Sequence, residues 1–471
     1  MMARSSSPAV LDIQCRAIWH FPLCAQLRIH HRIALEQQGA ASIAGRADHA
    51  ADLAILGDEA KIENDLLTAG FHWELLFPRA GHGFPSAPNA IIDSGIDLNL
   101  AMRVGVALAL LRVPRRRTLC ALHVCCKLSH SYEWLTQEST MAHLTVAEAR
   151  WLAERTMQAI GHTAEEAGLI ADHLIDCELR GLSYGGLPRA LSIAERITKL
   201  PRRREPIRVE DKTAVSALVH GGDNVGYLVA WKAMELAIER AKSQGVAIIG
   251  ANSTWYTGML SYYAERIARH DLVSMIASNA SPWVAPFGGT EGRFGTNPIC
   301  YGFPSAQGDP IVWDIGTSTI MHAEIVLARR LGKDLPEGVA FGSDGRPTRD
   351  PGATLDGGAI RAWGGAKGSG LAIVVQLLGA MCASPPMPQG MYDYGCLFVV
   401  MSPGLLMPVE AFKTSVKDYA EAVRSTRPVE GGSPVRMPFD RSTAERRRRI
   451  AADMIEVPDA IHAQLKRVSG A

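Results

Sequence analysis

The sequence lacks long apolar runs, paired-cysteine spacings, an excess of either charge, and the short glycine signatures most often tied to nucleotides or hydrolysis. No stretch reaches the ~18 apolar residues that a membrane span needs, because the longest candidate, Leu98 to Val113, is interrupted by Arg103 and Arg112. No membrane partner is expected. Upstream, Arg4 is followed by no apolar segment with a small-residue cleavage site, so a secretory leader is not indicated. The 9 cysteines form no C-x-x-C pair, which argues against a disulfide framework and for a reducing, cytoplasmic setting. With 49 basic against 48 acidic side chains the net charge is +1, and no bulk field exists to recruit nucleic acid. The one basic run, Arg446 to Arg449, reads as a solvated helix face. A G-x-G-x-x-G turn after a strand, G-x-x-x-x-G-K-[ST], H-E-x-x-H and G-x-S-x-G are all absent, which removes the usual support for Rossmann, P-loop, zincin and hydrolase readings.

What is present is unevenly distributed. Residues 1–140 hold Cys15, Cys24, Cys120, Cys125 and Cys126 and 8 of the 15 histidines, yet no helical or alternating period organises them. Cys125, Cys126, His123 and His130 match no zinc spacing, so no metal site is assigned. The segment is expected to be a poorly ordered extension outside the functional fold. From Met141 onward the local signals agree with one another. Thr145-Val-Ala-Glu148 and Thr163-Ala-Glu-Glu166 are capping boxes opening helices that end at Gly161 and Gly181, and a third helix runs through Ile193 and Ile197. The proline-bearing link Leu200 to Glu205 closes a helical part over residues 141–206. Over residues 207–407 short strands alternate with helices: Tyr227, Trp231, Met234, Ile238 and Ala241 fall at helical spacing before Gly245, and Val246 to Ile249 reads as a buried strand. A helix is expected over Thr319 to Arg330, and His220 is read as a turn residue at a strand end. Residues 408–471 return to helix and are expected to pack with the first helical part. The fold class is thus α/β, a mixed-sheet domain plus a helical domain built from both ends of this region.

Three ribbons of small residues stand out. Gly288 to Pro298 is a glycine-rich loop, Ile311 to Ser318 is an apolar strand that delivers Asp314, and Gly364 to Gly370 sets Lys367 among glycines before a helix. Glycines and a helix N-terminus admit an anion, and the carboxyl ends of strands are where α/β sheets place ligands. The same residues also allow a plainer reading, in which the glycines make turns and Asp314 caps the next helix through Thr317 or Ser318. Residue types alone leave both open.

The order SNAxPWVAPFGGTEGRFGTNPI, IVWDIGTS, LPEG, GRPTRDP, GGAKGSGLAI and VRMP resembles the malate/L-lactate dehydrogenase family from about Met141 to the end. The resemblance implies a homodimeric oxidoreductase that uses NAD or NADP on a small carboxylate-bearing substrate and binds the dinucleotide on a non-Rossmann fold. It implies cofactor contacts from Ile311, Val312, Trp313, Asp314, Ile315, Gly316, Ala366 and Lys367, and from Asp440 after VRMP; Thr296 and Asn297 of the glycine loop are expected to join them. Two departures matter. Gly185, in Tyr184-Gly185-Gly186, stands where the family has its proton-donating histidine, and Tyr256 stands at a second histidine position. Arg189 is expected to clamp the substrate carboxylate, and Asp314 to orient the donor or the nicotinamide. Tyr184 is the first candidate donor and Tyr256 the second, on condition that positive charge nearby lowers a phenol from its ordinary ~10. A cyclic imine, already protonated on nitrogen, needs less of a donor, which inclines the reading toward an imino acid or an unusual 2-oxo acid. His322, eight residues beyond Asp314, could be a substitute acid, but it is read first as a helix-face histidine with a structural partner. The alternative to an enzyme is a catalytically weak paralogue that keeps only the dinucleotide pocket.

Overall fold

Local capping chemistry starts the fold, and strand pairing between distant segments closes it. The structure, a computed structural model, describes residues 140–200 and 204–470; the extension, with Cys125, Cys126, His123 and His130, lies outside the described residues. Strand β1 (Met141–Leu144) leads into α1 (Val146–Ala159) and α2 (Ala164–Leu179). Thr145 and Thr163 each accept the N–H of the glutamate three residues on, and Glu148 and Glu166 accept the cap N–H in return. Helix α3 (Leu187–Lys199) follows a single 3₁₀ turn at Ser183–Gly185, with Pro188 in its first turn, where a missing N–H costs nothing.

The α/β part begins with the hairpin β2 (Arg208–Thr213) and β3 (Ser216–Val225). Helix α4 (Gly226–Gln244) stops at Gly245, whose φ of 83° is left-handed, and β4 (Val246–Trp255) follows. Next come α5 (Ser261–Ala268), β5 (Val273–Ser278), β6 (Val284–Ala285), β7 (Ile299–Phe303), β8 (Ile311–Ile315) and α6 (His322–Arg330). A smaller group holds β9 (Ala340–Phe341), β10 (Pro347–Thr348), α7 (Pro351–Leu355) and β11 (Ala359–Arg361). Helix α8 (Gly365–Met381) and β12 (Tyr394–Met401) complete it. The chain ends through α9 (Val409–Arg424), α10 (Asp440–Ala452), β13 (Ile455–Pro458) and α11 (Asp459–Ser469).

Seven strands form one sheet in the order β2-β3-β4-β12-β5-β7-β8. Only β3 and β4 run parallel, and all other neighbours are antiparallel. The sheet is therefore mixed, with β8 at an edge. Ala233, Met234 and Ala237 of α4 pack on Ile249 and Phe398 of the sheet, all buried. The two ends of the described region meet in the antiparallel pair β1–β13. Ile461 and Leu465 of α11 are fully buried with Leu152, Met157 and Ile193, each contributing roughly 2 kcal/mol by removal from water.

Several local expectations change. His220 lies inside β3, opposite Arg208 and Asn252, because the chain bulges after it rather than turning back at it. Helix α6 starts at His322, not Thr319, since the Thr317 and Thr319 N–H groups are taken by Thr296 O and Arg361 O. Lys367 sits within the first turn of α8, because Gly364, at φ 64°, already serves as its N-cap. The arginines of α10 are paired: Arg446 meets Asp176 and Arg447 meets Asp309, each at 2.6 Å, while Arg448 and Arg449 hold Glu445, and Arg447 and Arg448 stay exposed to solvent as well. Among the described residues no helix is long and apolar enough to cross a membrane.

Candidate active site

Between the α2–α3 turn and the β8 edge lies a cavity of about 380 Å³. It brings together Tyr184, Arg189, Tyr256 and Asp314, along with Thr296, Val312, Trp313, Ile315 and Gly316. Its upper wall rests on a buried carboxyl group. Leu187 N donates to Glu178 Oε1 at 2.7 Å, and a Cβ on Gly186 would stand 2.3 Å from that same oxygen, so only glycine lets the turn close over Glu178. Burial raises the Glu178 carboxyl to about 7, and its Oε2 has no hydrogen-bond partner among the described residues.

Arg189 enters from α3 with its guanidinium carbon 4.3 Å above the Tyr256 ring, a cation–π contact that fixes the plane of the fork. Its Nη1 is buried and has no hydrogen-bond partner among the described residues. An unspent buried donor costs ~1–3 kcal/mol, more on a charged group, and an incoming carboxylate would relieve that cost. Tyr256 is held at φ 53°, a left-handed conformation that bulky residues seldom adopt, and Phe439 across the cavity has φ 76°. Such residues gather at sites where the surrounding packing over-determines the backbone.

The condition placed on a phenol donor is not met. Burial, then the charges of Glu324, Cys177 and Asp314, push Tyr184 upward, and Arg189 opposes them only in part. Tyr256 is also raised, by burial first, and its hydroxyl donates to Met391 Sδ at 2.8 Å. Both rings stay protonated at neutral pH. Asp314, raised by burial, accepts from Ser261 N at 2.7 Å and so caps α5, not the helix after its own strand. The Thr317 hydroxyl instead donates to Thr296 O at 3.1 Å.

The expected cofactor residues divide. Thr296 and Val312 to Gly316 line the cavity, whereas Ile311 and Asp440 line a second one of about 370 Å³, with Phe439 bordering both. Asp440 is already bound to Arg424 by two bonds of 2.8 and 2.7 Å and accepts Met437 N, so its carboxylate is committed within the protein. Asn297 is fully buried and donates to Ala372 O and Gln376 Oε1, both at 2.8 Å; its side chain ties the glycine loop to α8 instead of facing a ligand. Gly292 and Gly295 are likewise used up by close packing on Pro282 and Ala280. Ala366 and Lys367 are exposed at the start of α8 and do not line the main cavity.

His322, for which the sequence favours a structural role over that of a substitute acid, and Phe439 both line the cavity. His322 opens α6 inside the cavity and stacks on Trp283, ring centroids 3.8 Å apart and planes within 16°. No periodicity could have placed it there, because the extended path of residues 317–320 is set by partners on distant segments. Phe439 follows VRMP, but its position depends on a backbone conformation that no residue type announces.

The malate/L-lactate dehydrogenase family profile matches residues 144–466. The chain is 31% identical over 333 residues to malate/(S)-sulfolactate dehydrogenase of Methanothermus fervidus, spanning 68% of this chain and 96% of that one. It is also 31% identical over 334 residues to (2R)-3-sulfolactate dehydrogenase (NADP(+)) of Chromohalobacter salexigens, spanning 69% and 97%. Its structure is similar to that of a dehydrogenase from Sinorhizobium meliloti, with a TM-score of 0.65, 31% identity, and coverage of 70% of this chain and 99% of that one. Family profile, relatives and fold agree over one continuous region that contains the whole cavity, and the chain belongs to the malate/L-lactate dehydrogenase family.

Proposed function

We propose that this chain is an NAD- or NADP-dependent dehydrogenase moving a hydride between the nicotinamide and C2 of a small 2-hydroxy or 2-oxo acid, with a cyclic 2-imino acid as the variant substrate. The observation that carries the reading is the buried Nη1 of Arg189, a cavity-lining residue, which has no hydrogen-bond partner among the described residues. A planar fork held over an aromatic ring suits a carboxylate. One relative is named for NADP(+).

The donor set fits a dinucleotide. Strand β8 is an edge strand, so one side of its backbone is unpaired, and it runs from the second cavity at Ile311 into the main one at Val312 to Gly316. A dinucleotide laid along that mixed-sheet edge, without a Rossmann crossover, would reach both cavities. Arg424, Arg447 and Lys417 border the second one, paired with Asp440, Asp309 and Glu421, and a phosphate there would share these cations with their carboxylates. When bound, the nicotinamide supplies or accepts the hydride. Arg189 binds and orients the substrate carboxylate, Tyr256 keeps the guanidinium flat, and the protonated Tyr184 donates a hydrogen bond to the C2 oxygen without releasing its proton. Asp314 anchors Ser261, and with it the floor of the site. We further place the working enzyme as a homodimer through the exposed apolar face of α8, where Ile373, Val374, Leu377 and Met381 are 47 to 64% exposed.

The test is a fluorescence titration with NADH and with NADPH, followed by coenzyme oxidation against a panel of 2-oxo acids and cyclic imino acids. Turnover on at least one member is expected. Binding without turnover on any of them would return the weak-paralogue alternative, and no binding of either coenzyme would defeat the dinucleotide reading itself.

A further inference from the structure

The cavity that lost both family histidine positions, to Gly185 and Tyr256, still holds an imidazole, on the helix that follows Asp314. His322 lines it from the first position of α6, facing the same space as Arg189, Tyr184 and Asp314, which arrive from three other segments. Face-to-face stacking on Trp283 fixes the plane of its ring. Neither ring nitrogen has a hydrogen-bond partner among the described residues. The ring is thus oriented but unspent.

The competitors are accounted for. Tyr184, Tyr227, Tyr256, Tyr394 and Cys177 are all raised, burial being the largest cause in each, and keep their protons through the neutral range. Asp314 is committed to Ser261 N. We propose that His322 is the catalytic residue that exchanges the proton with the C2 oxygen of the substrate, an assignment that rests on the dehydrogenase reading above. In oxidation the O–H bond breaks and its proton passes to a ring nitrogen of His322. The C2–H bond breaks with its electron pair leaving as hydride to the oxidised nicotinamide, and the carbonyl bond forms. Reduction of the 2-oxo acid runs the same transfers backward, with the imidazolium as acid.

The charges around the ring explain when it can do this. Arg189 from α3, Arg441 from α10, Asp314 from β8 and Glu324 from its own helix are the ionic groups at hand. Burial first, and the Arg189 charge second, hold the imidazole down to about 3 in the empty site. A substrate carboxylate on Arg189 cancels the second cause, so the ring gains basicity as the substrate docks. Burial, the larger cause, remains, so the ring meets the substrate neutral, as the base that oxidation needs.

The experiment uses the full chain with His322→Gln and His322→Ala. Both variants should bind NADH or NADPH with wild-type affinity, which certifies their fold, while kcat falls on the order of 10²–10⁴-fold. Added imidazole should restore part of the His322→Ala activity. A His322→Gln enzyme within about threefold of wild type, or no rescue of His322→Ala by imidazole, overturns the assignment and leaves the dehydrogenase reading standing. Failure of the wild type to bind either coenzyme overturns both.

Discussion

At the scale of single residues, Arg189 and Tyr256 act as one unit. The ring stacks under the guanidinium while the tyrosine hydroxyl is spent on Met391. Charge-assisted hydrogen bonds contribute ~1.5–3 kcal/mol, so Arg189→Ala should raise KM by roughly 10- to 150-fold with a smaller effect on kcat. Arg189→Lys should recover little, since a point charge cannot reproduce the fork. Tyr256→Phe should leave KM nearly unchanged and Tyr184→Phe should cost more in kcat, because only Tyr184 has a hydroxyl free to reach substrate. Steady-state kinetics on whichever acid the panel identifies decide this; an unchanged KM in Arg189→Ala would remove the clamp. What could be read from the sequence here was the set of residues standing on motif: Tyr184, Arg189, Tyr256 and Asp314 all reach the cavity. Asn297 does not line the cavity, because its amide N–H is taken by Ala372, 75 residues away, and such a demand leaves no local trace.

At the scale of elements, the α2–α3 turn is braced by Glu178, and the brace depends on pH. Its folded-state value, about 7 against 4.5, means that the folded chain holds this proton more tightly than the unfolded chain does. The contribution is complete below about 4.5 and is lost as pH rises through about 7, and the difference amounts to roughly 3 kcal/mol. Glu178→Gln keeps an oxygen for Leu187 N and cannot ionise. Urea midpoints measured at pH 5.5 and 8 should therefore differ less in the variant than in the wild type, with the gain at pH 8; parallel shifts in both proteins would show that Glu178 does not titrate there. Elements were legible where their signals are local, as in the two capping boxes and the Gly245 stop. They were not where pairing alone defines them: β1 and β13 exist because each satisfies the other, and β9 to β11 are too short for any alternation to show.

At the scale of the whole molecule, α8 joins the site to a surface. Its inner side holds the glycine loop, since Gln376 Oε1 accepts from both Gly295 N and Asn297 Nδ2. Its outer side presents Ile373, Val374, Leu377 and Met381 on one face, extended by Trp363 and Phe287, which are 49% and 67% exposed. A second copy covering this stripe would withdraw it from water and at the same time stiffen the helix that positions Thr296. Leu377→Glu introduces a charge that loses its hydration if the face is buried, so it should convert a dimer to a monomer in sedimentation velocity. Because the same helix carries the loop, the monomer should also bind coenzyme more weakly than the dimer. A wild-type chain that sediments as a monomer at micromolar concentration would exclude this interface, whereas a dimer untouched by Leu377→Glu would move it to another face and leave the apolar stripe of α8 without an occupant.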